Sequence, residues 1–213
     1  MAVNARSSPQ AYVRPALVSD VDAIVELLLE GFPDKFRSIF SGDLANAAKT
    51  LKQCYTSPEG LEGIFVAEAG SKIAGVISLQ TDNEVEGSNC LKYFFKNLGP
   101  IKTIKALLGL WLLSGHVDEW ECYIEFITVS SSCRGTGIGS LLLKQAEGYA
   151  REKQKQYLTL YVTEDNTGAR KLYRKIGFTD VRVKKSLFLK AIIGVERWVF
   201  MRKPVSGSSI LEK

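Results

Sequence analysis

The chain has 213 residues, 46% of them apolar, which is the length of one domain with enough apolar material to bury a core. Its net charge of +5 suits an anionic small ligand, and no basic run is interleaved with aromatics, so no nucleic-acid partner is expected. One histidine and four cysteines without a C-x-x-C pair argue against a metal site and suggest no disulfide framework. Cys90 and Cys122 read as small buried hydrophobes, and Cys133 lacks the paired base a nucleophile needs.

Residues 1–10 lack the apolar run of a signal peptide and read as a flexible tail, which gives a cytoplasmic expectation. Tyr12-Val13-Arg14 predicts a short first strand. Ser19 predicts the N-cap of a helix with Val21, Ile24, Val25, Leu28 and Phe32 along one stripe and Asp22 in the capping-box position. Pro33 ends it, and an apolar turn follows around Phe36, Ile39 and Phe40. A second helix is expected from Asp43, with Leu44, Ala47, Ala48, Leu51 and Tyr55 on one face. Residues 64–68 and 73–79 alternate as strands joined by a turn at Gly70-Ser71.

Residues 83–117 then form an insert holding Tyr93-Phe94-Phe95 and an apolar run over 104–113. That run is too short to span a bilayer. Three readings stand for it: a helix packed over the domain's cleft, a contact between two copies in a homodimer, or a membrane contact through 101–113 with Lys102 and Lys105 toward lipid. A second apolar segment, 187–193, lies between the last two strands.

Residues 118–129 predict the fourth strand. Cys122, Ile124, Phe126 and Thr128 fall on one face and are assigned to the core; Glu121, Tyr123, Glu125, Ile127 and Val129 fall on the other. Gly135, Gly137 and Gly139 follow at every second position and open a helix whose stripe is Ile138, Leu142, Ala146 and Tyr149. A strand, a Gly-rich loop and a helix start make an anion cradle, because backbone N–H groups approach closely and the helix dipole favours negative charge. The dinucleotide fingerprint fails, since Ser140 stands at its sixth position. The nucleotide P-loop fails, since Ser140-Leu141 follows Gly139. A strand over 158–162 comes next, then a helix capped by Asn166 and stopped at Gly177. Ala169, Leu172, Tyr173 and Ile176 form that helix's apolar stripe. Strands near 181–184 and 195–202 complete the sheet, and 204–213 reads as a second flexible tail.

Two stretches carry a family resemblance. Arg134-x-x-Gly137-x-Gly139 resembles the R/Q-x-x-G-x-G/A signature of the GNAT superfamily, acetyl-CoA-dependent N-acyltransferases. Asn166, Ala169, Tyr173, Gly177 and Phe178 match that superfamily's later N-x-x-A-x-x-x-Y-x-x-x-G-F motif, one helix and one strand downstream. On the joint match the chain is identified as a member. The resemblance implies a mixed, mostly antiparallel α/β sheet of about six to seven strands flanked by helices, in one domain over 11–203 carrying the insert. It also implies transfer of acetyl from acetyl-CoA to a primary amine in a ternary complex, without a metal. Arg134, Gly135, Thr136, Gly137, Ile138, Gly139 and Ser140 would hold the pyrophosphate, and Asn166 would add a contact. The main chain of Ile127 and Val129 would pair with the pantetheine arm, the Val129 N–H would polarise the carbonyl, and Tyr173 would protonate the departing thiolate. The first helices would border the acceptor, either a small-molecule amine or a peptide amine.

The chemistry asks for one more group. A free ammonium with a pKa of about 10 must lose a proton before it attacks. Glu125 is the first candidate base, with Glu121 second; Glu125 serves equally well as a binder of the substrate's ammonium. A GNAT fold that only senses acyl-CoA is the alternative class, and intact Arg134, Gly137, Gly139, Asn166 and Tyr173 argue for turnover.

Overall fold

The computed structural model describes residues 11–56, 59–81, 88–100, 102–104, 117–187, 190 and 195–205. The first tail, residues 206–213 of the second, and residues 105–116, which hold all but Ile104 of the apolar run over 104–113, lie outside the described residues. Seven strands form one sheet: β1 (Tyr12–Pro15), β2 (Ile64–Ala69), β3 (Lys72–Gln80), β4 (Glu121–Val129), β5 (Tyr157–Thr163), β6 (Thr179–Lys185) and β7 (Arg197–Pro204). Their order is β1-β2-β3-β4-β5-β7-β6, and every neighbouring pair is antiparallel except β4–β5. The described helices are α1 (Val21–Gly31), α2 (Pro33–Ile39), α3 (Leu44–Cys54), α4 (Ser88–Leu98), α5 (Ile138–Glu152) and α6 (Thr167–Lys175). This is the mixed, mostly antiparallel sheet flanked by helices that the sequence implies.

The alternation of apolar residues along the strands produces two cores, one on each face of the sheet. On one face α5 buries Ile138, Leu142 and Ala146 against Phe65, Ile77, Leu79, Ile124, Leu158 and Leu160, and α6 adds Tyr173. On the other, α1, α2 and α3 bury Ile24, Val25, Leu28, Phe36 and Leu51 against Ile64, Val66 and Val76. Completely burying each large aliphatic side chain stabilises the fold by about 1.5–3 kcal/mol.

The start of α1 differs from the expected Ser19 cap. A 3-10 turn, Val18–Asp20, precedes it, and Asp20 rather than Ser19 takes the polar role. Its carboxylate accepts the Leu17 N–H at 2.8 Å and two bonds from the Arg14 guanidinium, at 2.6 and 2.9 Å. Asp22 pairs instead with Lys52 at 2.8 Å. α3 starts as expected, with the Asp43 side chain accepting the Asn46 N–H at 2.9 Å.

The cysteine reading is corrected at Cys90, which forms a disulfide with Cys54. No local spacing announces it, because α4 returns across 36 residues to lie on the end of α3. Polar bonds fasten the same pair of helices. Asn97 Nδ2 donates to Thr50 Oγ1 at 2.9 Å and to Gln53 Oε1 at 2.8 Å, and Asn46 Nδ2 donates to the Asn97 carbonyl at 3.0 Å. Phe94 of α4 meets Phe40 with ring centroids 5.9 Å apart. At the other end, β7 continues to Pro204, and Val205 is buried with its N–H donating to the Gln156 carbonyl at 2.8 Å. The ordered sheet therefore passes the point where the sequence places the second tail. Among the described residues no helix is long and apolar enough to cross a membrane.

Candidate active site

The site begins with a defect in β4. Ser78 pairs with Phe126 and the next residue, Leu79, pairs with Ile124, so Glu125 is the extra residue of a β-bulge. The bulge inverts the alternation that follows it. Ile127 and Val129 pack on the α5 side with Cys122 and Ile124, whereas Phe126 joins the α1–α3 core. Thr128 points the same way as Phe126, so close under α1 that a Cβ on Gly31 would lie 2.3 Å from its Oγ1. The expected face assignment therefore holds up to Ile124 and is reversed from Phe126 onward. Strict period-2 reading has no means of anticipating an inserted residue.

The bulge leaves the Glu125 carboxylate exposed, where it accepts the Ser78 hydroxyl at 2.5 Å. Its negative charge acts on three neighbours from separate elements: Lys35 of α2, Tyr55 at the end of α3, and Tyr123. Burial, reinforced by Glu125, pushes the Tyr55 and Tyr123 phenols above the usual tyrosine range. Burial pulls the Lys35 ammonium below the usual lysine range, with Glu125 opposing. Glu121 is placed differently. It is buried at the closed end of the β4–β5 ladder, paired opposite Tyr157, with its carboxyl raised by burial and a Thr159 hydroxyl donating at 3.4 Å.

That ladder ends at Ile124–Leu160, although β4 continues to Val129 and β5 to Thr163. Past this point the two strands are no longer partners, and a gap opens in the sheet beside Ile127 and Val129. The Gly-rich loop sits at the end of β4 bordering that gap. Gly135 and Gly137 have φ of 81° and 93°, and a Cβ on either would meet nothing, so it is the backbone conformation that calls for glycine there. Gly139 is needed for a different reason. A Cβ there would lie 3.3 Å from Leu172, so its absence lets α6 approach α5. Ile138 turns its side chain into the core.

The loop is held from three sides. Glu30 of α1 accepts the Ser131 N–H at 2.6 Å, Thr136 Oγ1 donates to the Cys133 carbonyl at 2.7 Å, and Arg134 Nε donates to the Val129 carbonyl at 3.3 Å. Arg134, Gly135, Thr136 and Gly137 are themselves exposed. Ser140, also exposed, lines a cavity of about 120 Å³ with Lys144, Glu147, Ile176, Phe178 and Lys203.

α6 closes the arrangement. Asn166 caps it by accepting the Ala169 N–H at 3.1 Å. Tyr173 is buried, its ring 5.8 Å from that of Phe178. Burial alone pushes its phenol up to about 12, so the group is protonated throughout the neutral range. Residues 134–140 thus follow directly on Ile127 and Val129, α6 with Asn166 and Tyr173 approaches the start of α5 through Leu172, and Glu125 stands on the sheet's other face. Lys35, Ser78 and Glu30 are site neighbours that the sequence pattern does not single out. Tyr55 enters that pattern only as a helix-stripe residue.

A mixed sheet whose parallel β4–β5 pair parts beside a Gly-rich loop and a helix start is consistent with the expected fold. Residues 21–178 match the family model described as the Acetyltransferase (GNAT) family, and the chain belongs to that family and is an acyltransferase. A streptothricin acetyltransferase of Streptomyces lavendulae is 35% identical over 193 residues, spanning 90% of this chain and 93% of that protein. A ribosomal protein bS18-alanine N-acetyltransferase of Haemophilus influenzae is 40% identical over 95 residues, 45% of this chain and 63% of that protein. Among solved structures, an acetyltransferase superposes with a TM-score of 0.69 at 27% identity, covering 91% of this chain and 98% of the other.

Proposed function

We propose that the protein transfers an acetyl group from acetyl-CoA to a primary amine of a small molecule, by direct attack in a ternary complex. The observation that carries this reading is the gap between β4 and β5, with an anion cradle at one mouth and the exposed Glu125 carboxylate at the other. The cradle fits coenzyme A. The 15-residue α5 starts at Ile138 with Gly137 as its N-cap, so its first N–H groups and positive dipole end face the loop, and the exposed Arg134 adds a cation for the pyrophosphate. Acetyl-CoA supplies the activated thioester; the chain supplies everything else. The main chain of Ile127 and Val129 is released from β5 and open to an extended arm, apart from the Val129 carbonyl, which accepts Arg134 Nε. The Val129 N–H then polarises the carbonyl, and Glu125 draws the acceptor's ammonium from the α1–α3 face. Tyr173, protonated at neutral pH, gives its proton to the thiolate.

The acceptor is inferred from the relatives. The streptothricin acetyltransferase matches along nearly its whole length, including the α1–α4 region that borders Glu125. The alanine acetyltransferase matches under half of this chain. A small-molecule amine, streptothricin first among those to try, is therefore the preferred acceptor, ahead of a protein N-terminus. The test is thiol release from acetyl-CoA with a panel containing streptothricin, a range of other small amines and an alanine-terminated peptide, with products identified by mass. N-acetylation of a small amine supports the reading. Turnover with the peptide alone would reassign the acceptor, and binding of acetyl-CoA without any turnover would refute the acetyl-transfer reading.

A further inference from the structure

We propose that Tyr161 of β5 and Arg182 of β6 form the far wall of the acceptor mouth. Together they bind a carbonyl-type oxygen, of a carboxylate or an amide, that the acceptor carries away from its amine. The proposal rests on the acetyl-transfer reading of the same site and deepens it by naming what the site selects. Strand register places Tyr161. The β4–β5 ladder ends at Ile124–Leu160, so the next residue of each strand, Glu125 and Tyr161, flanks the opening of the gap. Leu158, Leu160 and Val162 point into the α5–α6 core. Tyr161 therefore points to the opposite face, the one on which Glu125 accepts the Ser78 hydroxyl. Its ring stands edge-on to that of Tyr123, with centroids 6.4 Å apart and planes at 67°.

Two more strands complete the wall. Tyr161 pairs with Phe200 on β7, and Phe200 pairs with Arg182 on β6, so the three residues lie in one row across the sheet. The Tyr161 and Phe200 rings are 5.0 Å apart. The Arg182 guanidinium lies 4.8 Å over the buried Phe200 ring and donates from Nη2 to Tyr161 Oη at 3.1 Å. A second bulge sets this alignment. Asp180 pairs with Met201 and Arg182 with Phe200, so Val181 is the extra residue, and the bulge puts an arginine rather than a valine in the row.

The row has donors left for a ligand. Tyr161 Oη accepts from Arg182, which leaves the phenol's own hydrogen to be given elsewhere. Arg182 is exposed and has no carboxylate partner among the described residues, since Asp180 on its own strand pairs with Arg170 at 2.7 Å and with Arg174 at 2.6 Å. A phenol and a guanidinium side by side suit an oxygen that accepts from both, and the guanidinium fork suits a carboxylate best. Across the gap Glu125 offers only acceptors. An ammonium therefore goes to the Glu125 side and an oxygen to the Tyr161–Arg182 side. The reverse orientation would set ammonium against guanidinium, so the two walls fix which end of the acceptor meets the thioester.

The test uses three matched series of probes: ω-aminoalkanoates, the corresponding ω-aminoalkanamides, and plain alkylamines of the same length. Calorimetry on the full-length protein saturated with coenzyme A, which has no acetyl group to transfer, reads binding without turnover. Probes carrying the oxygen should bind wild type about tenfold more tightly than the plain alkylamines. Tyr161→Phe and Arg182→Met should each erase most of that preference while the Kd for coenzyme A is unchanged. Methionine keeps an apolar side chain over Phe200 and removes the donors. A larger loss for the alkanoates than for the alkanamides in Arg182→Met identifies a carboxylate, and equal losses identify a neutral carbonyl; both support the proposal. A wild type without the preference, a preference that survives both substitutions, or one lost only together with coenzyme affinity overturns it. In turnover, with whichever probe the wild type acetylates, the variants should raise KM about tenfold with a smaller effect on kcat. A wild type that shows the binding preference and acetylates no amine refutes the acetyl-transfer reading and leaves the oxygen site standing.

Discussion

The two mouths of the β4–β5 gap are built by different means. On the α5 side the site is a run of consecutive residues that act through main chain: two glycines at positive φ, the first N–H groups of α5, and an exposed arginine. On the α1–α3 side it is side chains from α2, α3, β3 and β4, drawn together by a bulge. On the proposed reading, the backbone cradle serves what every acetyl-CoA-dependent enzyme shares, the phosphates, and the scattered side chains serve what differs from one enzyme to the next, the acceptor. The first design fails when the backbone is blocked and the second when a single charge is removed.

The sharpest way to break that contrast is at Gly137. Its φ of 93° is strained for any β-branched residue, so Gly137→Val should abolish acetyl-CoA binding measured by calorimetry, together with the ligand-induced rise in Tm. A folded Gly137→Val protein with unchanged affinity would show that the cradle does not hold the coenzyme. Next in size is Tyr173→Phe, expected to lower kcat about 100-fold with coenzyme affinity retained. An acid held up to about 12 also predicts no falling limb in the wild-type pH profile below about pH 10, since the proton it donates is still in place there.

Smaller effects probe the frame that aligns the mouths. A Gly31→Ala side chain would collide with Thr128 Oγ1 and push α1 off β4, at a cost of about 1–3 kcal/mol in thermal or denaturant unfolding. Asp20→Asn should cost about 1–3 kcal/mol at neutral pH, because the Arg14 guanidinium loses the more buried of its two carboxylate partners and keeps only Glu68. The hydrogen-bonded Arg14 holds the Asp20 carboxyl below its unfolded value. Its contribution is therefore complete above the ordinary aspartate pKa of about 3.9 and is lost as pH falls through the lower folded value. The stability gap between wild type and Asp20→Asn should close in acid; a gap independent of pH would show that the ion pair is not its source.

The same contrast explains what the sequence discloses. Gly135, Gly137 and Asn166 are readable because each residue type answers a local backbone demand: positive φ, or a helix cap. The β2–β3 hairpin is readable for a similar reason, alternation around Gly70-Ser71. Glu125 is readable as a candidate, but the reversal of faces after it is not, since the bulge is set by how β3 and β4 register rather than by any residue in β4 alone. Lys35 and the Cys54–Cys90 bond depend on long-range contacts, made by helices returning to the sheet and to each other. Asp20 displaces Ser19 for the same reason: its partner Arg14 sits on β1, outside the helix that Asp20 begins.

The central claim is that donor and acceptor use opposite mouths of one gap, and Glu125→Gln tests it most directly. The substitution keeps the side chain's shape and removes the charge that faces only the acceptor mouth. Measured side by side, kcat/KM for the amine should fall at least about tenfold while the Kd for acetyl-CoA is unchanged. Equal losses in both, or an unaffected kcat/KM, would contradict the separation of the two mouths.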